Sequence, residues 1–341
     1  MPFTWGIIGP GRIAQKFAEA VASIDDAVVG SVASRDTDRA GSFATAYGIQ
    51  RTARSYEALA ADDSIDAIYI ATPHRFHFQQ AMMCLEAGKH VLIEKPITVN
   101  ATECEMLIES AREKNLFVME ALWTRFLPVY SEVRSWLDAG RIGEPMVLSS
   151  TFCFPITTDR PERLWRHDLA GGALLDIGVY SIAVSQWAMQ RNPIDLIASG
   201  HLNGERVDDR ITASLLYAPP SEASDSPVSQ FTCSFQSQGP NNFAISGVDG
   251  TIVIEARFWG ATDATLHTDG RPTVRVNMPH RCNGFEYQIE EAMRQIRKGA
   301  IEHPTMSHAD SLANMKVMDR IRDVIGLRYD FETDRRISDP A

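Results

Sequence analysis

Apolar runs of strand length alternate with helical patterns through the first third of the chain. "FTWGIIG" (3–9), "AVVGSVAS" (27–34), "DAIYIAT" (66–72), "HVLIEKP" (90–96) and "LFVMEAL" (116–122) are the strand-like runs. Between them apolar residues recur at helical spacing, which predicts helices over 12–22, 37–47, 78–87 and 101–114. Apolar strands separated by helices predict a parallel sheet covered on both faces. Near residue 123 the rhythm changes. A helix over 128–139 leads to the strand-like "EPMVLSSTFCF", and an apolar helix follows over 171–190. Then β-rich segments at 194–202, 210–218, 228–237, 241–247, 251–257 and 272–277 arrive without helices between them. That run predicts an open, mainly antiparallel sheet. Helices over 284–298 and 308–325 close the chain, and the polar "APPSEASDSP" (218–227) reads as a loop between strands. The expected class is α/β, with an α/β domain over 1–122 and an α+β domain over 123–341.

Composition narrows the possibilities. A chain of 341 residues can bury two ordinary cores. Its net charge of −11 argues against a general binder of nucleic acid or of anionic membranes. Cys84, Cys104, Cys153, Cys233 and Cys282 are scattered, with no CxxC or Cys/His cluster, so neither a disulfide framework nor a metal site is expected. Reduced thiols in a cytoplasm are the expectation. The N-terminal "MPFTWGIIGPGRIA" lacks the basic start and apolar core of a signal peptide. By eye no run reaches the ~18 apolar residues of a membrane span.

The first strand runs into Gly9-Pro10-Gly11-Arg12-Ile13-Ala14, the G-x-G-x-x-A form of a dinucleotide fingerprint. Gly9 permits the tight turn, Gly11 lets a pyrophosphate approach the backbone, and Ala14 allows close helix–strand packing. The strand–turn–helix context predicts a Rossmann dinucleotide domain, with an ordinary glycine turn as the alternative. At the end of the second strand, where an NAD site carries an acidic residue, stand Ser34 and Arg35. A hydroxyl and a guanidinium suit a ribose phosphate, so NADP is favoured over NAD. Asp36 could still reach a ribose if the register shifts.

Two further features carry chemistry. Lys95 of "IEKP" ends a predicted parallel strand, the end at which ligands of open α/β sheets bind. In "GGALLDIGVYSIAVSQW" (171–187), Asp176 and Tyr180 lie about one helical turn apart and leave the same face. They are either a buried phenol with its partner or an active-site pair.

Together "ASRD", "TPHRFH", "EKP", "EALWTRF", "LWRHDLAGGALLDIGVY" and the closing "SLANMKVMDRIR" resemble the glucose–fructose oxidoreductase / inositol dehydrogenase (Gfo/Idh/MocA) family along the whole chain. Within it the chain is most similar to the dimeric dihydrodiol dehydrogenases and NADP-dependent D-xylose dehydrogenases. The resemblance implies an oxidoreductase that transfers hydride between nicotinamide and a sugar, cyclitol or trans-dihydrodiol hydroxyl. It implies Lys95 as a catalytic residue, and Tyr180 at the place where many members carry His. Gly9, Gly11, Arg12, Ile13, Ser34, Arg35, Thr72, Pro73, His74, Glu94 and Lys95 would line the cofactor. Trp165 and Arg166 would approach its nicotinamide side, and His77 would lie near it.

On this pattern Tyr180 carries the proton, and a lysine ammonium beside a phenol favours its phenolate. Asp176 would accept from a substrate hydroxyl, with Trp123, Phe154 and Arg160 as further substrate contacts. For Trp123 and Phe154 core packing is the alternative, and for His77 a first-turn helix position. No tyrosine is followed four residues later by lysine, which separates the chain from short-chain dehydrogenases. A keto- or anhydro-sugar reductase and a non-catalytic NADP-sensing regulator remain open as alternatives. Association through the second sheet, as dimer or tetramer, is the family's usual arrangement.

Overall fold

The apolar runs of the first third are strands of one sheet. The computed structural model describes residues 2–156, 162–219 and 225–334. Its first sheet contains β1 (Phe3–Ile8), β2 (Ala27–Ala33), β3 (Arg51–Ala53), β4 (Ala67–Ile70), β5 (His90–Glu94) and β6 (Val118–Ala121). Their order is β3-β2-β1-β4-β5-β6, and every pairing is parallel. Helices α1 (Arg12–Ala22), α2 (Thr37–Tyr47), α3 (Tyr56–Ala60), α4 (His77–Glu86) and α5 (Ala101–Lys114) join these strands. Every residue of β4 and β6 is buried, as two covered faces require. The order reverses between β1 and β4, and that reversal opens the crevice where such sheets bind ligands. β3 has no counterpart in the hydrophobic pattern because two of its three residues are exposed at the sheet edge.

After α6 (Pro128–Asp138) comes a second, eight-stranded sheet. It contains β7 (Pro145–Cys153), β8 (Asp195–Leu202), β9 (Asp208–Leu216), β10 (Val228–Ser234), β11 (Phe243–Gly247), β12 (Gly250–Ile254), β13 (Asp263–Thr268) and β14 (Val274–Asn277). The order is β14-β13-β12-β11-β7-β10-β9-β8. All neighbours are antiparallel except β7 and β10, so the sheet is mixed but mainly antiparallel. β13, "DATLHT", alternates too weakly to stand out from its sequence, although Ala264, Thr265 and Leu266 are buried.

The apolar helix expected over 171–190 is not regular. Leu174–Gly178 forms a π-helical segment, and only then does α7 (Val179–Met189) begin. Every residue of α7 except Trp187 is buried, and Ser181 and Ser150 of β7 share a 3.0 Å hydrogen bond. This corrects the expectation that no segment is apolar enough to cross a membrane. The helical stretch His167–Met189 is long and apolar enough to do so, but 89% of its most apolar window is buried inside the protein. It serves as a core helix, and burial on all sides explains its lack of an amphipathic stripe.

The chain does not divide once near 122. One compact unit comprises Met1–Phe126 and His280–Leu312, and the other Leu127–Pro279 and Ala313–Ala341. Helix α8 (Phe285–Arg297) therefore completes the first unit, α9 (His308–Ile325) begins in it, and α10 (Asp330–Asp334) belongs to the second. In the first unit the ring of Trp123 lies 5.0 Å from that of Phe285, contact that a cut at 122 would assign to the wrong unit.

Candidate functional site

The first unit carries a preformed anion cradle. Gly9 has φ +88°, and a Cβ there would stand 2.8 Å from the Thr72 methyl, so the turn between β1 and α1 admits only glycine comfortably. At Gly11 a Cβ would meet nothing within 4 Å, which leaves open space above the backbone. Gly11 caps α1 without a side-chain hydrogen bond, and no acidic residue occupies the first turn. Exposed Arg12 and half-buried Ile13 border the opening, while Ala14 is buried under it. These features fit a dinucleotide pyrophosphate.

At the end of β2, Asp36 turns away from the ribose position. Its Oδ1 accepts from the backbone N–H groups of Asp38 and Arg39, both at 3.0 Å, and so caps α2. The Ser34 hydroxyl oxygen accepts from the Asp36 N–H at 3.2 Å. The Arg35 guanidinium lies over Phe76, 5.4 Å from the ring centroid.

The loops after β4 and β5 are tied together by His77, the first residue of α4 and fully buried. Its Nδ1 lies 2.8 Å from the Pro96 carbonyl and its Nε2 lies 2.8 Å from the Thr72 carbonyl. Only a protonated ring can donate to both. Pro73 caps the single turn His74–Phe76, and buried His74 meets His77 edge to face. The Thr72 hydroxyl donates to Gln80 at 2.6 Å. Glu94 points into the sheet layer, where it accepts from the hydroxyl of Tyr69. Lys95 follows at the strand end, half-buried, and begins the cis Lys95–Pro96 bond.

The second unit holds the other candidates. Asp176 lies in the π segment and Tyr180 on the first turn of α7, exposed by only 7% each. π-Helical turns recur at functional sites. Arg163 donates from both terminal nitrogens to Asp176 Oδ1, at 3.1 and 3.2 Å. Arg163 was missed in the sequence because nothing in "PERLW" marks it. An aromatic wall adjoins: Tyr180 lies 5.7 Å from Phe152, which stacks on Trp259 at 3.4 Å. Phe154 is half-buried between Phe152 and Phe235, and Trp165 meets Phe235 edge to face.

Other predicted residues have partners of their own. Arg166 is held by Asp168, with Nε donating at 2.6 Å and a terminal nitrogen at 2.5 Å. Trp123, 9% exposed, packs on Phe285 and His280 inside the first unit. Arg160 lies outside the described residues.

Comparison with known proteins decides the family. Residues 3–122 match the model of an oxidoreductase family with an NAD-binding Rossmann fold, and residues 130–253 match the GFO/IDH/MocA C-terminal domain. The chain belongs to the Gfo/Idh/MocA family of oxidoreductases. Among curated relatives, trans-1,2-dihydrobenzene-1,2-diol dehydrogenase of Xenopus laevis is 35% identical, covering 96% of this chain and all of that protein (100%). The Homo sapiens enzyme of the same name is 33% identical over 96% and 98% of the two chains. A 3-ketoreductase from Actinomadura kijaniata, solved with NADP and TDP-benzene, superposes with a TM-score of 0.82 at 28% identity, over 95% and 98% of the chains. An aldose-aldose oxidoreductase from Caulobacter crescentus, at 22% identity and TM-score 0.84 over 95% and 97%, shares the fold.

Two buried carboxyls of this Gfo/Idh/MocA protein are expected to contribute to its response to pH. Burial pushes Glu120 in the first unit and Asp208 in the second up to about 7. Between the ordinary carboxylate range and 7, the folded chain keeps protons that the unfolded chain has released. Stability therefore falls as pH rises through that window. Melting is expected at a lower temperature at pH 8 than at pH 5.5, and Asp208→Asn should narrow the gap. An unchanged gap in the variant would remove Asp208 from the effect.

Proposed function

We propose that this protein is an NADP-dependent dehydrogenase acting on a secondary hydroxyl of a trans-dihydrodiol, sugar or cyclitol. The observation that carries this reading is the Asp176–Tyr180 pair. A carboxylate fixed by Arg163 and a phenol one turn away stand beside an aromatic wall suited to the apolar face of a ring. The curated relatives named for dihydrodiol oxidation support the same substrate class.

When bound, the dinucleotide supplies the redox chemistry, and the chain supplies binding, orientation and proton handling. Gly9, Gly11 and the first turn of α1 hold the pyrophosphate, with Thr72, Pro73, His74 and His77 shaping the neighbouring loop. Tyr180 removes the hydroxyl proton in oxidation and returns it in reduction. Lys95, at the ligand end of β5, is the catalytic lysine that the family resemblance implies. Asp176 accepts from a neighbouring substrate hydroxyl and fixes the ring. Structures of the Actinomadura ketoreductase include a tyrosine-to-phenylalanine and a lysine-to-alanine variant.

NADP is favoured over NAD because Asp36 is spent as the cap of α2, which leaves Ser34 and Arg35 at the end of β2. Arg35→Asp is expected to lower the preference for NADP over NAD by at least about 10-fold in kcat/KM, through loss of a charge-assisted phosphate contact. An unchanged ratio would refute that assignment.

Reduction of NADP+ with trans-1,2-dihydrobenzene-1,2-diol, D-xylose and D-glucose tests the activity. Tight NADP binding without turnover of any diol, sugar or cyclitol would leave the regulator reading instead. Keto-sugar reduction is the second enzymatic reading, supported by the 3-ketoreductase at 28% identity. Self-association through the outer face of the second sheet, in a reducing compartment such as the cytoplasm, completes the proposal.

A further inference from the structure

Glu120 is a buried carboxyl with no place in the mechanism above. It lies on β6, opposite Ile93 of β5, and is 1% exposed. One oxygen accepts from the Ile97 N–H at 3.0 Å, and the other accepts from the Ser311 hydroxyl at 2.8 Å. Ile97 is two residues beyond Lys95, so the carboxyl grips the loop that carries the lysine. The nearby cations are Lys95 and Arg125, and both favour the carboxylate. Arg125 in turn faces Asp310 on α9, at 3.9 Å. His308, also on α9, lies 3.0 Å from the Val118 carbonyl and 3.7 Å from Glu302.

Removing one partner from a buried charged contact is costly, so the groups a buried carboxyl holds mark what it positions. This one spends its two oxygens on a main-chain N–H and a hydroxyl, beside a lysine at the ligand end of the sheet. We propose that Glu120 is a positioning residue for Lys95: through its hydrogen bonds to the Ile97 N–H and the Ser311 hydroxyl it anchors the Lys95–Ile97 loop and so fixes where the lysine stands. This rests on Lys95 acting in catalysis, as proposed above. Burial pushes Glu120 up to about 7, so its charge is present in alkaline solution and withdrawn in mild acid. Glutamine imitates the protonated form.

The test compares wild type with Glu120→Gln by NADP+ reduction with trans-1,2-dihydrobenzene-1,2-diol across pH. Near pH 6 turnover should agree within about 2-fold, and near pH 9 the variant should be slower by about 10-fold, the scale of a lost charge-assisted hydrogen bond. A constant ratio across pH would overturn the proposal. Glu120→Asp, which keeps the charge, should retain the wild-type profile shape. Should Glu120→Gln not fold, Ser311→Ala removes one hydrogen bond that favours the carboxylate. It should displace the split between mild acid and alkali toward higher pH, and an unmoved profile counts against the idea.

A readout independent of turnover is acetylation of Lys95 by acetic anhydride at pH 8, followed by peptide mass. It should proceed at least about 3-fold faster in Glu120→Gln, because the loop that carries the lysine is held less firmly and opens more readily. Equal rates would overturn the coupling. Lys95→Ala separates the two layers: full turnover in that variant defeats the catalytic reading of Lys95, whereas a dead Lys95→Ala with unchanged Glu120→Gln defeats this inference alone.

Discussion

Tyr180→Phe is expected to lose at least ~100-fold in turnover while its NADP affinity stays close to that of wild type, the usual scale for removing a general acid–base. The substitution deletes one oxygen and keeps the ring. Its ring packing against Phe152, at 5.7 Å, persists. The loss should fall on kcat and kcat/KM together, since the proton transfer belongs to the transition state. Asp176→Asn should behave differently, with KM rising more than kcat falls, because Asp176 binds rather than transfers. Near-wild-type turnover in Tyr180→Phe would end the role of the phenol.

Gly172→Ala is expected to be among the most damaging small substitutions in the second unit. Gly172 has φ +126°, a backbone conformation that side chains avoid, and its Cβ would sit 2.1 Å from Asp208 Oδ1. Asp208 is itself fully buried, and its other oxygen accepts from the Leu174 N–H at 2.6 Å, at the start of the π segment. The carboxylate cannot withdraw without abandoning that bond. Strain and the broken contact together should cost on the order of 3 kcal/mol or more. For a chain of 341 residues that lowers Tm by roughly 4 °C or more, or abolishes soluble protein. Gly270→Ala is the control, since its φ is +69° but nothing lies within 4 Å of the added atom. If both variants melt alike, steric conflict at Gly172 is not what shapes the turn.

Much of this was legible in the sequence where one local rule governed the outcome. The β–α alternation, the glycine turn at Gly9 and the change of rhythm after β6 all follow from periodicity and turn chemistry. The irregular pieces did not. The π segment around Asp176 depends on Asp208, 34 residues away at its hydrogen bond to Leu174. Arg163 acquires meaning only when the fold brings it to Asp176. In the sequence Asp36 competes as a ribose ligand, whereas its two contacts to α2 make it a helix cap, a familiar role for an Asp just before a helical pattern. For Trp123 the sequence leaves pocket wall and core packing both open, because its neighbour Phe285 lies so far along the chain.

The divided first unit has a consequence for how the protein is made. Residues 1–126 leave the ribosome early, but their partners at 280–312 follow only after the whole second sheet has been synthesised. Until then Trp123 lacks Phe285 and Glu120 lacks Ser311. The nucleotide unit thus begins folding first and is completed last, so a nascent chain stalled anywhere within the second sheet carries a fingerprint loop without a finished β6 edge.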